Sequence, residues 1–136
     1  MKVDGQCHCG AIAYEAEVEA GTVGVCHCSD CQQLTGSPFR ANIQAPAAGF
    51  RMLRGDPRRY VKHGDSGAAR VHAFCGDCGS PVFSCAPENP QSYTLRLGAL
   101  RQRHELGVPA QQIWTKRRLS WVTLPAEVAE VEGQPH

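Results

Sequence analysis

The chain has 136 residues, 42% of them hydrophobic, and its 14 Lys and Arg nearly balance 13 Asp and Glu, for a formal net charge of +1. That length suits one domain with its own core, spanning 1–136 with a loose tail at 133–136. The even charge excludes a globally basic nucleic-acid binder, and no run approaches the roughly 18 apolar residues of a membrane span.

The first residues, Met1 to Cys7, lack the apolar stretch of a signal sequence, so the sequence reads as cytoplasmic. Fourteen Gly and nine Pro punctuate the chain and leave room for short strands rather than long helices. In chain order, strands are expected over Ala11–Val18, at Gly24-Val25 and over Phe39–Gln44, ending before Pro46. Between them Ser29–Leu34 is expected to form one helical turn capped by Ser29 or Asp30. Further strands are expected at Arg59–Lys62, Arg70–Phe74, Pro81–Ser84, Tyr93–Leu97 and Leu119–Leu124. Pro125–Glu132 is expected to be a short helix or frayed. The class expected is mainly β, with few short helical turns.

Seven of the eight cysteines form three clusters: Cys7/Cys9, Cys26/Cys28/Cys31 and Cys75/Cys78. In a reducing compartment such cysteines are metal ligands rather than disulfides, and sulfurs one to three residues apart can converge on one Zn²⁺. Cys7, Cys9, Cys75 and Cys78 together supply four thiolates, a closed tetrahedral site. Gly10 and Gly79 directly follow their pairs and allow tight turns around the metal.

Cys26, Cys28 and Cys31 supply three thiolates and leave a fourth position for water, a substrate thiolate or Cys85. An open position makes a catalytic zinc, whereas closure by Cys85 makes a second structural one. A lone cysteine in a strand is otherwise a small buried hydrophobe. Filling both sites takes the net charge from +1 to −2, because the zinc centres carry −2 and −1. His8 and His27 lie inside clusters, but alternation along an extended chain turns them from the metal. His27 could instead orient substrate or carry a proton. His63, His72 and His104 have no metal context.

Gly5-Gln6-Cys7-His8-Cys9-Gly10, Cys26-His27-Cys28-Ser29-Asp30-Cys31, Thr35-Gly36-Ser37 and Phe74-Cys75-Gly76-Asp77-Cys78-Gly79-Ser80 resemble the glutathione-dependent formaldehyde-activating enzyme family, which shares a superfamily with centromere protein V. Leu97-Gly98, Pro109, Ile113-Trp114 and Ser120-Trp121 with Leu124-Pro125 extend the resemblance in the right order. It implies a compact β fold with a structural zinc on Cys7, Cys9, Cys75 and Cys78. It also implies a catalytic zinc on Cys26, Cys28 and Cys31.

The implied activity is that of a carbon–sulfur lyase, joining glutathione to formaldehyde as S-hydroxymethylglutathione. The partners implied are a small thiol and an aldehyde; composition and charge speak against a membrane and against nucleic acid. Glutathione's carboxylates call for cations, and Arg40, Arg96, Lys116, Arg117 and Arg118 are the candidates. Thr35-Gly36-Ser37 could offer N–H and hydroxyl groups or form an ordinary turn. Where the family often has Gly-Thr-Leu-Asp, this chain has Gly98-Ala99-Leu100-Arg101, a reversed charge. The alternative function is a non-catalytic zinc module for a protein or nucleic-acid partner, using Arg58/Arg59, Arg101/Arg103 and Lys116-Arg117-Arg118. A zinc or redox buffer is a third.

Overall fold

Strict alternation of polar and apolar residues along Arg40-Ala41-Asn42-Ile43-Gln44-Ala45 gives the central strand two unlike faces, and its neighbours continue both. The structure is a computed structural model that describes residues 1–64 and 66–135. Its strands are β1 (Lys2–Gln6), β2 (Ala13–Glu17), β3 (Gly24–Cys26), β4 (Arg40–Pro46), β5 (Arg51–Arg54), β6 (Arg58–His63), β7 (Ala69–Phe74), β8 (Pro81–Cys85), β9 (Ser92–Arg96), β10 (Gln111–Ile113) and β11 (Ala129–Glu130). One helix, α1 (Ser29–Thr35), and several 3-10 turns join them. β1, β2 and β5 form a small sheet, and the rest form an eight-stranded sheet ordered β11-β10-β3-β4-β9-β8-β7-β6. The expected class, mainly β with few helical turns, is the one found.

The core lies between the sheets. Ile43 pairs with Leu95, and Leu95 with Phe83, so one face of the large sheet is apolar. The small sheet supplies Val3, Tyr14 and Ala16, all buried. Phe50 stacks on Tyr93 with centroids 4.1 Å apart, and both meet the edge or face of Phe83. Cys85 is 1% exposed within this cluster, opposite Val71.

Several expectations change. β1, β5 and β10 were not legible as strands. Leu119–Leu124 is not a strand: Val122 turns back to bond Leu119, burying Val122 and leaving Trp121 71% exposed. Pro125–Glu132 is not a helix; a turn at Pro125 leads into β11, which runs parallel to β10. The cap of α1 is Cys28, whose sulfur accepts from Cys31 N at 3.3 Å, rather than Ser29 or Asp30. The tail is tethered as far as Gln134: Trp114 donates its backbone N–H to Gly133 O and Nε1 to Gln134 Oε1. His136 lies outside the described residues.

Gly5 faces Tyr14 across the β1–β2 pair. A Cβ at Gly5 would lie 2.4 Å from Tyr14 Cζ and Oη, so only glycine lets the ring lie there. Gly5→Ala is expected to cost roughly 1–3 kcal/mol by overpacking, read as a lower urea midpoint at unchanged metal content. An unchanged midpoint would show that the ring does not lie over Gly5.

Candidate metal centres

Two turns bring the first cluster together. After β1, Cys7 N donates to Ile12 O and Gly10 N to Cys7 O, with Gly10 at φ 82°. Between β7 and β8, Cys75 N donates to Ser80 O and Gly79 N to Cys75 O, with Gly79 at φ 78°. Both glycines thus take the left-handed conformation that other residues disfavour. Ser80 ties the turns together: its Oγ accepts from His8 N at 3.0 Å and lies 3.1 Å from Cys78 Sγ.

The sulfurs of Cys7, Cys9, Cys75 and Cys78 all lie within 4.8 Å of one another. Cys7 Sγ is 3.7 Å from Cys9 Sγ, which is 3.8 Å from Cys75 Sγ. A disulfide would need about 2.05 Å. Tetrahedral zinc with Zn–S bonds of about 2.3 Å sets its sulfurs about 3.8 Å apart. The spacing therefore fits a shared metal and excludes a disulfide, and all eight cysteines are free thiols. Hydrogen bonds from the Ser80 hydroxyl and from the Cys9 and Ser80 backbone hold Cys78 down at about 5.

Cys26, Cys28 and Cys31 form a second group, likewise within 4.8 Å. Cys26 ends β3, Cys28 caps α1, and Cys31 lies in its first turn. Hydrogen bonds from the Cys26 and Cys31 thiols, and from backbone N–H groups of Cys31 and Asp30, outweigh burial and hold Cys28 at about 2. The same sharing with Cys28 and Cys31 pushes Cys26 up. Cys28 is thus the first thiolate of the set. Cys85 does not join them; it belongs to the core, so no fourth cysteine closes this group.

His27 points to the opposite side of the chain, as alternation requires. It is fully buried, edge-on to Phe39, with Nε2 2.8 Å from Gln112 Oε1, and burial lowers its pKa. His8 is exposed and joins neither cluster. Thr35, Gly36 and Ser37 finish α1: Thr35 Oγ1 donates to Cys31 O, and Gly36 N and Ser37 N donate to Gln32 O. Arg101 pairs with Asp4 at 2.8 Å and, with Gln102, draws that carboxyl below its usual range.

Of the polar face of the large sheet the sequence singled out Arg40 and Arg96, while the face itself went unread. Cys26 pairs with Arg40, Gly24 with Asn42, Asn42 with Arg96, Thr94 with Ser84 and Ser84 with His72. Arg96 donates to Asn42 Oδ1 at 2.8 Å and approaches His72 Nδ1 at 3.2 Å. Burial, then the charges of Arg96, Arg40, Lys62 and Arg70, pushes His72 down to about 4, so it is neutral and accepts that bond. His72 is therefore part of this face rather than a bystander. Lys62 on β6 pairs with Asp30 on α1 at 2.7 Å. This contact brings α1 and β6 together, and Arg40, Ser84, Thr94 and Arg96 on the polar face are buried, so the face is an inner surface beside the three-cysteine group.

A cavity of about 340 Å³ opens on this face, lined by Gly24, Cys26, Asn42, Gln44, Gln111 and Ile113 among others. A larger one, about 680 Å³, lies against Cys7 and His8. Size favours the second, but its cysteine belongs to a group already holding four sulfurs. Only the smaller cavity reaches a group with a free position.

The fold and the two groups define a β protein with one closed and one open thiolate cluster. The chain belongs to the glutathione-dependent formaldehyde-activating enzyme family, whose model matches residues 2–117. The chain is also similar to a solved structure of a Rhodobacter sphaeroides protein, with a TM-score of 0.59 and 26% identity. That match covers 78% of this chain and 97% of the other. Among the described residues no helix is long and apolar enough to cross a membrane.

Protein purified without chelator is expected to hold two zincs per chain by atomic absorption. Cys75→Ser is expected to fail to fold, whereas Cys28→Ser is expected to fold with one zinc. The reverse pattern would exchange the roles of the two clusters.

Proposed function

We propose that the chain is a zinc-dependent carbon–sulfur lyase, acting as one domain, that joins a glutathione-like thiol to a formaldehyde-like aldehyde. The observation that carries this reading is the three-cysteine group with a cavity at Cys26 and no fourth cysteine. Cys26, Cys28 and Cys31 would hold the catalytic zinc, and Cys7, Cys9, Cys75 and Cys78 the structural one. A zinc in the open cluster supplies the positive charge that makes an incoming thiol a thiolate near neutral pH. In the addition, sulfur forms a bond to the carbonyl carbon, the C=O π pair moves to oxygen, and a proton completes the hydroxyl.

The chain's own part is to hold the two reactants together, which removes much of the entropic barrier. Gly24 leaves the cavity room, since a Cβ there would meet nothing within 4 Å. Asn42 holds Arg96 through Oδ1, and Gln44 donates through Nε2 to Thr94. Each amide keeps a second polar atom for a ligand. Eight free thiols support a reducing, cytoplasmic setting. The binding-module alternative has less support, because most of its basic residues have partners within the chain. Arg58 lies over Phe74, Arg59 over Phe83, Arg101 on Asp4 and Arg118 on Glu130.

Adduct formation above the spontaneous rate, followed by NMR exchange between thiol and S-hydroxymethyl product, is expected to vanish in Cys28→Ser. Full activity in that variant would overturn the reading. Gly24→Val fills the cavity without a strained backbone. It is expected to slow the reaction roughly 100-fold at unchanged zinc content. An unchanged rate would place the substrate elsewhere.

A further inference from the structure

The cavity at Cys26 is built without charge. Its polar lining is Thr22, Asn42, Gln44 and Gln111, and its apolar lining includes Ile43 and Ile113. Apart from Cys26 itself, none of its described lining residues is ionisable. The cavity against Cys7 is different, with Asp4, Arg96, Arg101 and Arg103 in its wall. All five cations that the sequence offers for glutathione's carboxylates, Arg40, Arg96, Lys116, Arg117 and Arg118, lie outside the lining at Cys26. Arg96 shares the sheet face but stops at Asn42, to which it donates.

The size of the cavity says which reactant fills it. Its volume of about 340 Å³ falls at the small end of ligand pockets, which span about 300–1,000 Å³. A water molecule's share of the liquid is about 30 Å³, so a one-carbon aldehyde leaves most of the space empty. The body of the thiol is what the rest can hold.

The polar atoms left in the wall are those that meet an amide. Asn42 Oδ1 accepts from Arg96 at 2.8 Å, which leaves its Nδ2 as a donor. Gln44 Nε2 donates to Thr94 Oγ1 at 2.9 Å, which leaves its Oε1 as an acceptor. Two residues apart on β4, both side chains leave the same face of the strand. A donor beside an acceptor is the complement of a peptide amide, whose C=O accepts and whose N–H donates. A charged group there would give up water for partners of no opposite charge, which is costly. A zinc on three thiolates carries a net −1 and adds repulsion for a carboxylate.

We propose that the thiol taken at Cys26, Cys28 and Cys31 is uncharged and amide-bearing where it lies in this cavity, so that the site prefers neutral amide thiols to charged ones, free glutathione included. The inference rests on the proposed thiol addition and narrows its thiol to one that shares glutathione's amides without its charges.

The test uses protein reconstituted with Co²⁺ and follows the change in sulfur-to-cobalt absorption as thiols are added, compared at equal thiolate concentration. One arm sets 3-mercaptopropionamide against 3-mercaptopropionate, and the other N-acetylcysteamine against cysteamine. The neutral amide is expected to bind roughly 10- to 100-fold more tightly in both arms, the loss that one unpaired polar group brings. Glutathione is expected to rank with the charged thiols. Gln44 is exposed, so Gln44→Lys adds a cation to the cavity wall without burying it, and it is expected to reverse the order in the first arm.

Absence of the preference in either arm overturns the proposal, as does glutathione binding as tightly as the amides. A first-arm preference that is unchanged in Gln44→Lys also overturns it, since the ligand would then lie outside the cavity. If Gln44→Lys fails to fold, Gln111→Lys, at an exposed position that begins β10, decides by the same readout. If no thiol alters the absorption, the proposed function falls together with the inference. Binding of all the thiols without discrimination overturns the inference alone and leaves that function standing.

Discussion

The convergence of four sulfurs from two distant turns is the constraint on which the other packing depends. Cys7 and Cys9 follow the first strand of the small sheet, whereas Cys75 and Cys78 join two strands of the large one. A metal shared by them would pin one sheet to the other at the edge of the core. Structural zinc contributes about 10–16 kcal/mol in small peptides, against a total stability of about 5–15 kcal/mol for ordinary domains. A contribution of that size would decide whether the sheets stay together. The second turn also sets where β8 begins, and with it where Phe83 meets Phe50 and Tyr93.

The large sheet is a two-sided layer. Its apolar side closes the core, and its polar side is buried beside α1, where Lys62 reaches Asp30. The same element thus builds the core with one face and borders the open cluster with the other. The open cluster stands at the rim of the second face, where Cys26 leaves β3 and Cys28 begins α1. The intervening His27 turns the other way to Gln112 and holds the rim from the core side.

Much of this was legible in the residues. Cluster spacing separated four cysteines from three, and the positive-φ glycines at 10 and 79 appeared where the turns demanded them. Alternation located β4, β7 and β9 to within a residue or two. What stayed hidden depends on pairing rather than local pattern. β1 carries Gly5 in its middle because of Tyr14, which the sequence cannot place opposite it. β10 is three residues long and exists because β3 and β11 flank it. Leu119–Leu124 is apolar enough for a strand, but only Val122 is buried. Arg40, Asn42, Arg70, His72 and Arg96 alternate visibly along their strands. Only the register brings them together on one face, and only the packing buries it.

Strand β10 has a temporal consequence. It pairs parallel with β3, and His27 N donates to Ile113 O, so residues 111–113 form one wall of the open cluster. The closed cluster, with the Ser80 that ties its two turns, needs nothing beyond residue 80. During synthesis from the N-terminus, the four sulfurs that pin the sheets are all available while β10 is still to be made. A metal there could be captured early, and the open cluster receives its wall only after the frame behind it is in place.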